Sequence, residues 1–213
     1  MKKLIISLVL LSSVGAYSQT DEGLFFDLNL GSRIGGVTSE DAKMGPGFHL
    51  DGGVGYMFSN IIGIKGELGM DWFNAMSADE TTEDRAGMGR ATLMAVLGVS
   101  ELAGFGTEKF ALRLNLGFGL ASLSNPSWKD DRLAQEGYEF TDPLLKGNDD
   151  MGHFIIGLNP QYHINSSISV NANIAFVGLL QQSYVVDRST NVAVEGVQNI
   201  VNASVGISYR LGQ

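Results

Sequence analysis

The amino-acid sequence predicts an all-β protein: an eight-stranded antiparallel up-and-down transmembrane β-barrel preceded by an N-terminal signal peptide. Three observations point there. Apolar residues alternate with small or polar ones in eight separate runs, the connections between those runs alternate long and short, and no later apolar run is long enough for a membrane-spanning helix. The composition agrees with this reading. The 213 residues include 28 Gly, 4 Pro and no Cys, and 17% are charged, whereas globular chains average about 7% Gly and about 25% charged residues. The absence of cysteine excludes a disulfide framework, a thiolate metal site, a cysteine nucleophile and a lipidated cysteine. A net charge of −9 argues against a nucleic-acid or anionic-lipid binder, because those partners call for a basic face.

The chain opens with Lys2-Lys3, an apolar stretch from Leu4 to Val14, and the small-residue segment Gly15-Ala16-Tyr17-Ser18. A basic head, a short apolar centre and small residues before the cut are the parts of a secretory signal peptide. Residues 1–18 are therefore expected to be removed and 19–213 to form one exported barrel domain. Loss of the two lysines would leave a mature charge of −11.

The eight runs are expected as strands near 23–33, 46–58, 61–73, 88–101, 109–121, 152–164, 167–181 and 197–211. The first sets Leu24, Phe26, Leu28 and Leu30 against Asp27 and Asn29. In the second, Phe48, Leu50, Val54 and Tyr56 oppose His49, Asp51 and Gly53; in the third, Ile62, Ile64, Leu68, Met70 and Trp72 oppose Lys65, Glu67 and Asp71. The fourth, Gly87 to Glu101, is the least regular, because Met94 and Val96 blur its polar face. The fifth is the cleanest, with Phe110, Leu112, Leu114, Leu116, Phe118 and Leu120 against Arg113, Asn115, Gly117 and Gly119. Runs six to eight repeat the pattern through Phe154–Ile164, Ile168–Leu180 and Val201–Leu211. Pro160, on the outward phase of the sixth, removes a ladder hydrogen bond and suggests a bulge.

Short links at Ser59-Asn60, 102–108 and Asn165-Ser166 alternate with long ones near 34–45, 74–87, 122–151 and 182–196. That rhythm places the termini and short turns on one side and four long loops on the other. The polar phase is mostly Gly, Ala, Ser and Asn, which suits a narrow lumen better than a solvated surface. Aromatics on the apolar phase also sort by height: Phe26, Tyr56, Phe58, Phe110, Tyr162 and Tyr209 near the short turns, Phe48, Trp72, Phe118 and Phe154 near the long loops. Two such belts are what a bilayer with two interfaces selects.

The strands carry five acids (Asp27, Asp51, Glu67, Asp71, Glu101) and five bases (Arg33, Lys65, Arg90, Arg113, Arg210), so the net charge sits on the loops and the N-terminal tail. Buried charges must be paired to offset their desolvation. Asp27, Asp51, Lys65, Glu67, Arg113 and His163, with Asn29, Asn115, Asn171 and Asn173, are expected to form a lumen network that fills an eight-stranded barrel. His49, His153 and His163 all fall on the polar phase, and His49-Leu50-Asp51 puts an imidazole and a carboxylate on one face. Lumen hydrogen bonding is the expected role of each, since a metal site needs three or four convergent ligands. His153 with Ser124 or Ser127 would be the one enzymatic arrangement; no catalytic residue, metal or cofactor is expected.

The long loop 122–151 carries Trp128, Tyr138 and Phe140 among Asp130, Asp131 and further acids. Aromatics interleaved with acids on an exposed loop suit a protein partner, or a place to hold Ca²⁺ or Mg²⁺ beside lipopolysaccharide phosphates.

The signal segment, the eight alternating runs and the closing Asn-Ala-Ser-Val-Gly-Ile-Ser-Tyr-Arg-Leu of 202–211 together resemble the small outer-membrane β-barrel family of Gram-negative bacteria, of the porin-family, OmpX, OmpW and OmpA-barrel type, possible relatives including PorT-like proteins. The resemblance implies an integral outer-membrane location, contact with outer-membrane lipid and lipopolysaccharide, and a monomer. It also implies a non-enzymatic role in structure, adhesion, interaction or secretion; the alternative is a narrow channel or hydrophobic-solute conduit.

Overall fold

The structure, a computed structural model, describes residues 22–34, 42–77, 83–124, 148–180 and 199–211. Eight strands run β1 (Gly23–Ile34), β2 (Ala42–Met57), β3 (Ile62–Ser77), β4 (Glu83–Gly98), β5 (Phe110–Ser124), β6 (Asn148–His163), β7 (Ile168–Leu180) and β8 (Asn199–Leu211). Each pairs antiparallel with the next, and β1 pairs with β8 from Leu24↔Leu211 to Ile34↔Val201, so the sheet closes into a barrel with no free edge.

The strands extend further toward the long loops than the apolar alternation does. β3 runs on to Ser77, β4 starts at Glu83 and β6 starts at Asn148. The alternation follows the apolar outer wall and fades where the ladder continues among Asn, Asp and Glu. At the opposite end β4 stops at Gly98 rather than at Glu101, and Val99–Leu102 form a helical turn, α1. Ser100 Oγ accepts the Leu112 backbone N–H at 2.8 Å, tying α1 to β5. Gly104 continues the turn with φ +72°, a conformation glycine takes without steric cost. The other short turns are held by side chains. Ser59 Oγ accepts from the Ile61 and Ile62 amides at 3.3 Å, and Asn165 Oδ1 accepts from those of Ser167 and Ile168 at 2.9 and 2.8 Å.

Pro160 interrupts pairing without making the expected bulge. Leu158↔Ile174 and Gln161↔Asn171 lie in one continuous register, with the two intervening β6 residues unpaired to β7. The proline has no N–H to give; Asn159 Nδ2 donates to the Ala172 carbonyl at 3.1 Å in its place. The β2–β3 ladder instead shifts register between Met44 and Gly47, around Gly45 and Pro46, a position that tolerates proline.

Exposure follows the predicted phases. Phe26, Tyr56, Phe110, Tyr162, Tyr209, Phe48, Trp72 and Phe118 are exposed on the outer wall, while the charged residues of the polar phase are buried. The interior is more apolar than the sequence suggested. Met88, Met94, Met151, Ile155, Val177 and Ile200 form one buried cluster, and Phe25, Met57 and Val96 a second near the short turns. Residues that blurred the polar face of β4 are thus lumen filling: inside a barrel this narrow, a side chain must occupy volume and need not meet water.

Candidate functional site in the barrel lumen

The lumen charges form two connected centres. In the first, Lys65 Nζ lies 3.0 Å from Asp27 Oδ2 and 2.8 Å from Glu67 Oε2. Lys65 and Glu67 share the inward face of β3, two residues apart, and Asp27 reaches across from β1. The Ser208 hydroxyl donates to Asp27 Oδ1, and Asn171 Nδ2 donates to Ser208 Oγ at 3.0 Å. One chain of contacts therefore crosses from β3 through β1 and β8 to β7. All of its members are buried, Lys65 to 3% exposure.

The second centre is built on His49. Its Nδ1 is 2.8 Å from Asp71 Oδ1 and its Nε2 is 2.8 Å from Asp51 Oδ2, so the imidazole bridges two carboxylates. Arg90 Nε donates to the other Asp71 oxygen at 3.2 Å, and Asn29 Nδ2 to Asp51 Oδ1 at 2.6 Å. Asn202 Nδ2 approaches His49 Nδ1 at 3.3 Å. The Arg33 guanidinium stacks 3.9 Å above the Phe73 ring centroid. Four acids (Asp27, Asp51, Glu67, Asp71) and five bases (Arg33, Lys65, Arg90, Arg113, Arg210) are buried in the described lumen, a nearly balanced set in which opposite charges offset each other's desolvation.

The structure thus brings Asp27, Lys65 and Glu67 together and links Asp51 to Asn29. Arg113 and His163 lie elsewhere. The Arg113 guanidinium is 5.1 Å from the Phe25 ring centroid, and His163 Nδ1 bonds Ser169 Oγ at 2.6 Å. His153 Nε2 is 2.9 Å from Thr92 Oγ1, a partner that the serine reading passed over; Ser127 and the Ser124 side chain lie outside the described residues. So do Trp128, Asp130, Asp131, Tyr138 and Phe140.

Sequence reasoning did not join His49 to Asp71, Arg90 and Arg33. A signal was available in the turn: His49 and Asp71 are each eleven residues from Asn60, and they are direct cross-strand partners. Among the described residues, no group of three or more His, Asp or Glu side chains is arranged to hold a metal ion. The bridge His49 makes between its two carboxylates fixes the imidazole in place on the inward face of β2 and β3.

A closed eight-stranded antiparallel barrel, apolar outside and charged inside, is the fold of the small outer-membrane β-barrels of Gram-negative bacteria. No protein-family model matches the chain, and no curated protein matches it. Among solved structures, the outer membrane protein OprG from Pseudomonas aeruginosa is similar, with a TM-score of 0.56 and 15% identity over 92% of this chain and 99% of that one. Neisserial surface protein A is similar with a TM-score of 0.55 and 10% identity, over 91% and 98% of the two chains. At these identities the likeness establishes the shared fold.

Proposed function

We propose that the chain is exported by its first 18 residues and works as a non-enzymatic, monomeric outer-membrane barrel. In this reading the lumen is plugged, the wall stands in lipid, and the acidic long loops, above all 122–151 with Trp128, Asp130, Asp131, Tyr138 and Phe140, offer a surface to a partner in adhesion, envelope structure or secretion. The observation that carries it is the burial of the inward charges. A water-filled channel would leave them accessible, yet Arg33, Asp51, Asp71 and His153 are all at most 1% exposed. The exposed aliphatic and aromatic outer wall supports the membrane setting.

Planar-bilayer recording tests the plug. The expected result is no conductance above the bare bilayer, in the native chain and in Arg113→Ala alike. Stable unitary currents that change on Lys65→Ala would instead establish the narrow-conduit alternative. Photo-crosslinking from position 128 or 138 on intact cells, expected to capture a defined envelope protein, tests the loop surface.

A further inference from the structure

The three short turns differ at their tips. Ser59-Asn60 and Asn165-Ser166 present polar side chains, whereas the turn from β4 to β5 presents Leu102, Ala103 and Phe105, all exposed. Leu102, at 72% exposure, is as open as Phe118 on the outer wall. The turn that carries it is tightly closed. The Phe105 amide donates to the Ser100 carbonyl at 2.9 Å and the Gly104 amide to that of Glu101 at 3.2 Å, the paired bonds of a Schellman helix end.

Ser100 is buried and ties the inner side of α1 to β5. Leu102 comes two residues later, about 200° round the helix, and so stands on the outer side. Val99, three residues before it, shares that face and continues the outward phase of Leu93, Ala95 and Leu97. The apolar wall therefore runs off the end of β4 onto α1. The Gly98 amide donates to the Ile61 carbonyl at 2.7 Å, which sets the exposed Ile61 beside α1, and the exposed Phe110 opens β5 on the other side. Three charges lie on the turn. The Glu101 carboxylate folds over Gly106, in the space a Cβ there would occupy, and Glu108 and Lys109 are exposed neighbours of opposite sign.

We infer that this turn is an interfacial foot: Leu102 and Phe105 enter the headgroup–acyl boundary of the leaflet on the short-turn side and fix how deep the barrel sits. The inference rests on the membrane reading above. A protein partner would need a matching surface, and stable interfaces bury roughly 800 Å² a side, far more than one leucine and one phenylalanine present. A lipid boundary needs no matching surface, and binding to it grows with each apolar side chain that enters. The patch is continuous with the apolar wall, so in this reading the boundary lies where the wall ends. A turn already closed by its own hydrogen bonds also loses little freedom on entering.

The chain has no cysteine, so a single substitution takes a single spin label. The full mature chain carrying Leu28→Cys, Leu102→Cys, Ala103→Cys or Glu108→Cys, one at a time, is labelled and reconstituted in phosphatidylcholine vesicles. Collision of each label with oxygen, which concentrates in hydrocarbon, is compared with collision with a water-soluble nickel chelate. The expected oxygen-to-nickel ratio falls in the order 28, 102, 108, with position 102 severalfold above 108. Adding Leu102→Asp is expected to lower the ratio at position 103 severalfold, and adding Leu102→Met to leave it unchanged, with heat-modifiable gel mobility showing that both variants fold. Water-like ratios at 102 and 103 with a lipid ratio at 28 overturn the foot, leave the membrane reading intact and turn the apolar tip over to a soluble partner. A ratio at 103 that ignores Leu102→Asp overturns the foot as well. A water-like ratio at 28 overturns both.

Discussion

Replacing Lys65 by methionine tests most directly whether the lumen is dry. The ammonium sits between Asp27 and Glu67 at 3.0 and 2.8 Å, with the three side chains at 3%, 6% and 3% exposure. Methionine keeps the length and apolar stem of lysine, so the change removes the charge and its hydrogen bonds while leaving little cavity. Two carboxylates then face each other without a cation, a situation that typically costs about 3–5 kcal/mol. That corresponds to roughly two to three and a half orders of magnitude in the folding equilibrium. With a urea slope of about 2 kcal/mol per molar, the unfolding midpoint in detergent micelles should fall by roughly 1.5–2.5 M. The triple variant Asp27→Asn, Lys65→Met, Glu67→Gln removes all three charges together and should recover most of the loss, because a neutral, hydrogen-bonded replacement for a buried ion cluster is often tolerated. A midpoint change below about 0.5 M for Lys65→Met, equivalent to about 1 kcal/mol at that slope, would refute the reasoning. It would mean that water reaches the carboxylates and that the lumen is not plugged there.

Three other substitutions probe separate parts of the structure. His49→Ala leaves Asp51 and Asp71 without their bridge and should lower stability by about 3 kcal/mol, read as a shift in the same urea midpoint. Asn159→Ala deprives the Ala172 carbonyl of its donor beside Pro160; a loss of about 1 kcal/mol, with faster hydrogen exchange confined to β6 and β7, is expected, and exchange spread evenly round the barrel would contradict the local account. Leu28→Arg on the outer wall should cost about 2–4 kcal/mol if that position lies near the bilayer midplane, measured by refolding into phosphatidylcholine vesicles, and a neutral result would place Leu28 at an interface or in water.

The sequence was most legible where an outside medium acts on it. The division between outer wall and lumen sorts Leu24, Phe26, Leu28 and Leu30 from Asp27 and Asn29, and this period-two signal recurs along the eight strands. It stops short of Asn74–Ser77, Glu83–Arg85 and Asn148–Asp150, which are strand all the same. The lumen was legible only in part. Asp27, Lys65 and Glu67 could be grouped because opposite charges in a dry interior must find each other. The His49 centre depends on register, which the Ser59-Asn60 turn sets and which residue types alone do not disclose. Met94 and Val96 were misleading for a related reason: a filled lumen selects for volume, so methionine serves there as well as asparagine.

The pairing of the first strand with the last bears on how the molecule can assemble. β1 and β8 meet over Leu24 to Ile34, so the earliest strand in the chain has no second neighbour until the final one arrives. Until then the nascent sheet has two open edges, each able to recruit a foreign strand, and the closing contacts span nearly the whole chain, the kind of long-range pairing that forms slowly. The Ser208–Asp27 hydrogen bond lies on this seam and can form only at closure. Closure of β1 against β8 thereby adds the Ser208 hydroxyl to Lys65 as a partner of the buried Asp27 carboxylate and gives the finished cylinder a latch.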